Sequence, residues 1–446
     1  MFRCANFRLV FAAGLTTWVA ATAGLAFGYS SAAAFQIFLS VEWSAIFASC
    51  LNIGGLIGSL LSGYFLSRYG RRATMFGACF PGVIGWIWLR LSAAKVYERY
   101  SPTVTFILGR VLTGVSAGMI IPATAAYLIE IAPTNLHDIY GALTQIGIVS
   151  GIAIAYMFGL ALSWEMVALL NSILLLITLL FILVLPESPK WLSKSDRPQH
   201  ANAAYSWLHG SSQPPIDDEA LKPLEEGQPS DAMVQPSFRY YIVPCAAIPS
   251  GQMARLRVTT ILMALQQLTG INALLYFAES VCMFGGLSWP ATCAVLMGIS
   301  QLFFTLGGMY FIKRFSRKHM LLISSLVMCG AHLLHAVIIF FGHPYTALNV
   351  VGKLCIIIFL FGFSIGWGPL PILVTMDMFP VSTRGFASAS GVAVNWILSF
   401  VVTVSFEPLT LILGGSTMFM IYSVFCFVGY LFVERYIPAT VSPLSR

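Results

Sequence analysis

Two pairs of short segments place acids and arginines at matching intervals along this 446-residue chain. Residues 64–72 read YFLSRYGRR and residues 310–318 read YFIKRFSRK, in register at an offset of 246 (310 − 64). Residues 130–137 (EIAPTNLH) and 377–384 (DMFPVSTR) share an acid, a proline three residues on and a basic or titratable residue four beyond, at an offset of 247 (377 − 130). Charges so placed can form ion pairs: Glu130 with Arg71 or Arg72, and Asp377 with Arg317 or Arg384. Such pairs suit a gate, closing as helix ends come together and separating as they part. For the arginines a plain anchoring of helix ends fits as well. The acids favour the gate, because an acid at a membrane end in a mostly basic loop has no topological purpose. Three further ionisable residues lie inside apolar stretches. Arg110 is a candidate functional charge or an interhelical tie. His332 and His335, three residues apart, share a helix face and fit either a proton relay or packing. No nucleotide-binding loop, metal-ligand cluster or nucleophilic triad stands out, so neither enzymatic chemistry nor a cofactor or metal is expected.

The elements that carry these residues follow from composition. Hydrophobic residues make up 58% of the chain and charged residues 9%, against about 25% charged in an ordinary soluble chain. The apolar residues come in runs such as 165–185 and 415–433, and about 20 of them are what a helix needs to cross the hydrocarbon core. Lipid offers no partner to backbone N–H and C=O groups, so such runs cross as helices. Twelve spans are predicted, at roughly 9–30, 43–66, 73–92, 103–131, 140–162, 166–185, 257–283, 291–312, 319–341, 349–376, 386–406 and 415–434. The chain therefore reads as an all-α membrane protein of two six-helix halves, 1–185 and 256–446, joined by a polar loop, 186–255. Within that loop the segment 211–236 has too little apolar surface to fold by itself. A short amphipathic helix is predicted at 201–209, with Ala201, Ala204, Tyr205 and Leu208 on one face.

Of the 24 Lys and Arg residues, all but Arg90, Lys95, Arg99, Arg110 and Lys353 fall on one side if both termini and the central loop share it. That places this side in the cytoplasm. The net charge of +7 reflects this topology, and no nucleic-acid partner is implied. The basic, then apolar, N-terminus lacks a clear cleavage site and reads as the first span. Most of the nine cysteines read as small buried hydrophobes. Cys282 and Cys293 flank a short outer loop, where a disulfide is an alternative.

Two repeats nearly in register argue for a duplicated six-helix unit with a site between the copies, the architecture of the major facilitator superfamily. The segments GYFLSRYGRR (63–72), GRVLTGVSAG (109–118), YLIEIAP (127–133), PESPKWL (186–192), QQLTGINALLYF (266–277), GWGPLP (366–371) and NW (395–396) resemble the sugar porter branch of that superfamily, which includes the facilitative glucose and trehalose transporters. The resemblance implies that Gln145, Gln266, Gln267, Asn272, Gln301, Asn395 and Trp396 contact a sugar. Amides that both donate and accept suit a neutral ligand rich in hydroxyls, and an aromatic face covers the C–H side of its ring. Helix–helix hydrogen bonding is the other use for such amides.

The chain departs from the family pattern at several positions. Ser67 and Lys313 stand where the loop motif has an acid, His137–Asp138 where Arg–Gly is usual, and Ile372 where a tryptophan follows GPxP. Ser30 occupies the place at which proton-driven relatives carry an aspartate, and no Asp or Glu falls near the middle of a span. The expected function is facilitated, downhill transport of a hexose or small disaccharide. A proton-coupled symporter and a non-transporting sugar sensor are the rivals. The resemblance implies the plasma membrane; oligomeric state is not readable.

Overall fold

The computed structural model describes residues 7–37, 41–92, 102–133, 136–210, 252–284, 290–312, 314–341, 346–379 and 381–438. Among them six long helices form the first half: α1 (Phe7–Ile37), α2 (Val41–Tyr69), α3 (Arg71–Leu91), α4 (Pro102–Ile131), α5 (His137–Ala161) and α6 (Trp164–Val184). Two short helices follow, α7 (Pro189–Lys194) and α8 (Pro198–His209). The second half contains α9 (Met253–Leu268), α10 (Ile271–Tyr276), α11 (Ala278–Phe284), α12 (Pro290–Ile312), α13 (Arg317–Phe341), α14 (Thr346–Ile365), α15 (Leu370–Met378), α16 (Val381–Leu413) and α17 (Gly415–Tyr436). Twelve stretches within these helices are long and apolar enough to cross a membrane. Side chains such as Phe303, Phe340 and Leu411 point outward from the bundle, more than two-thirds exposed, a surface that suits lipid and not water.

The amphipathic helix predicted in the central loop is present as α8, burying Ala201, Ala204 and Leu208. The segment 211–236 lies outside the described residues. Two spans differ from the continuous helices expected. The seventh is broken into α9, α10 and α11, because Gly270 takes a left-handed φ of 83° that ends α9. The tenth is broken between α14 and α15 at Gly366–Pro369, where proline removes a backbone donor and restrains the residue before it. Cys282 and Cys293 are joined in a disulfide that ties α11 to α12.

Within the first half α1 packs on α5 and α2 on α4; across the halves α2 meets α16, α5 meets α12, and α1 meets α10 and α11. Glycines make the closest approaches. Gly54 and Gly58 on α2 face Gly114 and Gly118 on α4, the small-residue spacing that lets membrane helices touch backbone to backbone. A Cβ at Gly114 would lie 2.1 Å from the Leu51 carbonyl oxygen, and one at Gly54 2.0 Å from that of Val111. A Cβ at Gly77 or Gly330 meets nothing within 4 Å. Gly114→Val is therefore expected to destabilise the bundle by about 1–3 kcal/mol, the usual cost of overpacking. Thermal denaturation in detergent should show a lowered midpoint for Gly114→Val and an unchanged one for Gly330→Val; equal midpoints would contradict this packing.

Candidate functional site

Two clusters of polar groups stand out among the described residues: one at the end that carries Arg71 and Arg317 (the basic end) and one around the break in the seventh span. At the basic end α3 begins at Gly70, whose φ of 95° brings the backbone close under the Glu187 carboxylate. Glu187 Oε1 accepts from the backbone N–H of Arg71 (2.9 Å) and of Arg72 (3.1 Å), occupying two of the donors a helix N-terminus leaves free. The Arg71 guanidinium donates to Glu130 Oε1 at 2.5 Å, and the Ser188 hydroxyl donates to Glu130 Oε2 at 2.5 Å. Arg72 turns to the C-terminal end of α6 and donates to the carbonyls of Ile182 (3.2 Å) and Leu183 (2.8 Å), a helix-end role for a cation. The repeat holds in the second half, where Arg317 pairs with Asp377. The Arg384 side chain lies outside the described residues. Each observed pair links two helices of its own half. Glu187 and Ser188 had no assigned role in the sequence; the signal was the PES of PESPKWL.

Four of the seven amide and aromatic residues expected to contact sugar form two hydrogen-bonded pairs, Gln266–Asn395 and Gln267–Asn272. Gln266 Nε2 donates to the carbonyls of Trp367 (2.5 Å) and Gly368 (3.1 Å), groups freed by the break in the tenth span. Its Oε1 accepts from Asn395 Nδ2 at 2.8 Å. One turn on, Asn272 Nδ2 donates to Gln267 Oε1 (2.7 Å) and to Ser399 Oγ (2.6 Å). An amide set in place by other amides is rigid and holds donors and acceptors ready for a polar ligand. Trp396, next to Asn395, is buried at the seam between halves: its ring lies 6.0 Å from that of Phe27, and a Cβ at Gly55 would meet it at 2.5 Å. Gln301 is buried on α12 with Oε1 unpaired among the described residues, and Gln145 is half-buried on α5, the helix that α12 packs against. No hydrogen bond joins either to the Gln266–Asn395 or Gln267–Asn272 pair among the described residues.

Beyond this cluster, toward the end opposite the arginines (the far end), lies a residue that sequence reasoning missed. Asn52 on α2 is fully buried. Its Nδ2 donates to Thr403 Oγ1 at 3.0 Å, and its Oδ1 accepts from the Tyr276 hydroxyl at 2.9 Å and the Ser399 hydroxyl at 3.0 Å. A lone polar residue in an apolar run was the available signal. Two more bonds join the halves nearby, Tyr156 to the Leu275 carbonyl (2.5 Å) and Ser31 to the Glu279 backbone N–H (3.2 Å).

Arg110 is fully buried. It donates to the carbonyls of Ala26 (3.0 Å) and Phe47 (3.5 Å) and to the Ser30 hydroxyl, and its guanidinium lies 5.0 Å from the Phe47 ring centroid and 5.6 Å from that of Tyr29. No carboxylate is among these partners. The cation is held by oxygen dipoles and aromatic faces. The histidines of α13 are set among aromatic rings: His332 lies 4.1 Å from Phe359 and bonds the Thr269 carbonyl at 3.1 Å, and His335 stands edge-on to Phe419 at 4.5 Å. That environment supports packing and a tie to the break in the seventh span.

Among solved structures the chain matches the inward open conformation of the xylose transporter XylE from E. coli, with a TM-score of 0.73 and 20% identity over 95% of this chain and 96% of that one. Among curated proteins it is 29% identical over 405 residues to the facilitated trehalose transporter Tret1 of Drosophila erecta, spanning 87% of this chain but only 44% of that protein. It is 27% identical over 452 residues to the facilitated glucose transporter member 8 of solute carrier family 2 from Bos taurus, covering 94% of this chain and 88% of that one. The sequence pattern described as sugar (and other) transporter matches residues 12–443. With twelve spans in two halves and an amide cluster at the breaks of two of them, the chain belongs to the sugar (and other) transporter family.

Proposed function

We propose that this protein is a facilitative carrier of a hexose or a small disaccharide such as glucose or trehalose, exposing one central site alternately to the two sides of the membrane. The observation that carries this reading is the amide cluster Gln266–Asn395 and Gln267–Asn272–Ser399, held where two broken spans meet. A neutral ligand covered in hydroxyls can exchange with each of these bonds at little net cost, whereas an ion or an apolar solute cannot. Trp396 at the seam offers a flat apolar face, and Gln145 and Gln301 extend the polar set onto the α5–α12 side. Relatives whose names specify facilitated glucose and trehalose transport support the substrate class.

Downhill transport is the better reading for the mechanism. Ser30, at the place where proton-driven relatives carry an aspartate, is engaged by Arg110. Arg110 thereby has a neutral hydroxyl partner where those relatives carry a carboxylate. The basic end faces the cytoplasm in this reading, in keeping with the positive-inside bias. The disulfide at the far end then faces an oxidising compartment, as such bonds do. The plasma membrane is the expected location. At the basic end Arg71–Glu130 and Arg317–Asp377 act in gating by holding each half together as it rocks, and Arg72 and Arg384 are the further candidates for that role.

Initial uptake of labelled glucose and trehalose into proteoliposomes, with no ion gradient, tests the site. Wild-type protein should show saturable uptake of at least one. Gln266→Ala removes the donor to the Trp367 and Gly368 carbonyls and one acceptor of the Asn395 amide, taking from the site hydrogen-bonding capacity worth about 1–3 kcal/mol, so half-saturation should rise about 5- to 100-fold. Unchanged half-saturation would remove Gln266 from the site. Glu130→Gln breaks a partly exposed ion pair worth about 1 kcal/mol. It should lower the maximal rate about fivefold and leave half-saturation within twofold, since it lies away from the amides. A change confined to half-saturation would contradict the gating role.

A further inference from the structure

Asn52 is the one amide on α2 and sits in the bundle with 0% exposure. Buried without partners, such a group is strongly unfavourable. Its hydrogen-bond partners, Tyr276, Ser399 and Thr403, all belong to the other half of the molecule. Asn52 is therefore satisfied only while the two halves lie together at the far end. The same set of bonds continues into the candidate sugar site, because Ser399 also receives Asn272, which holds Gln267. Aromatic contacts flank it on both sides: Phe27 lies 6.1 Å from Tyr276 and 6.0 Å from Trp396.

We propose that Asn52 is a positioning residue that latches the far end of the carrier shut, and that Asn272 and Ser399 connect this latch to the sugar site. The inference rests on the carrier reading above and deepens it. Opening the far end breaks three bonds at once and leaves Asn52 to whatever water enters. Closing it remakes them without moving any other part of α2. The latch thus weights the balance between the far-closed state and the far-open state, and a carrier's affinity measured from one side scales with the fraction of molecules open to that side. A sugar that takes the Asn272 amide draws one donor away from Ser399, which links occupancy of the site to the strength of the latch.

The test is the half-saturation for labelled sugar measured from each side, as zero-trans entry and zero-trans exit, in wild type, Asn52→Ala and Thr403→Val. Thr403→Val removes one of the three bonds, worth about fivefold in the balance, and Asn52→Ala removes all three. Half-saturation from the far side should fall and that from the basic side should rise, so that their ratio moves in the same direction in both variants, about fivefold in Thr403→Val and at least as far in Asn52→Ala. In a carrier without coupling the ratio of maximal rate to half-saturation stays equal for entry and exit, which checks that downhill transport persists. A melting midpoint measured on each variant separates latch from scaffold. Lowered stability with an unchanged ratio in both variants would overturn the latch and leave Asn52 a structural residue. Absence of saturable flux in wild type from either side would overturn the carrier reading, and the latch with it. Thr403→Val is similar in shape and keeps the test open if Asn52→Ala does not fold.

Discussion

A polar side chain buried among membrane helices cannot turn to solvent for a partner, and this constraint organises the molecule. The amides answer it by serving one another. Gln266 covers carbonyls that the tenth span exposes at its break, Asn395 covers Gln266, and Asn272 holds Gln267 while reaching Ser399. Asn52 then closes the series across the seam. In the Gln266–Asn395 and Gln267–Asn272 pairs the amides occupy one another in the empty state, and each of the bonds can be replaced by one to a hydroxyl of comparable strength. A site of this kind binds a sugar by exchange.

The irregular backbone of the second half is what makes the arrangement reachable. A continuous seventh helix would satisfy its own carbonyls and present Gln266 and Gln267 on a rigid cylinder. Gly270 interrupts it, with the Tyr422 ring so close that a Cβ there would lie 2.6 Å away. His332 reaches the Thr269 carbonyl at that point. Non-helical backbone is tolerated at membrane depth where protein surrounds it or where it lines a cavity. The breaks lie beside the amides, as in carriers built from repeated halves. At the basic end the two halves repeat the same device: an arginine at the start of one span pairs with the acid at the end of the next. Each pair stays within a half and leaves the seam to other residues.

Much of this was legible in the sequence. Run length and charge gave twelve spans, and the repeated segments marked Glu130 with Arg71 or Arg72 and Asp377 with Arg317 or Arg384 as candidate pairs, of which Arg71–Glu130 and Arg317–Asp377 are formed. Gln266, Gln267, Asn272 and Asn395 could be singled out because amides are rare in apolar runs and because their segments resemble known sugar porters. The helix breaks were not legible as breaks: hydropathy averages over a window and does not register a single left-handed glycine. Nor was the choice of Arg71 over Arg72, since adjacent arginines differ only in the direction in which α3 points them. Asn52 was passed over because its partners are hundreds of residues away in the chain and include hydroxyls, which carry little signal in an apolar run. For the same reason Arg110 and Ser30 were each noticed alone, and only the fold brings them together.

Counterflow tests the central claim most directly. Proteoliposomes preloaded with unlabelled sugar and diluted into a trace of the labelled sugar isolate the exchange of one sugar for another through one alternating site. Labelled sugar should rise transiently above its equilibrium level, and do so equally with or without a pH difference. No overshoot, with saturable binding retained, would identify a receptor; an overshoot that required a proton gradient would place a coupling group that the present assignment of Ser30 and Arg110 denies.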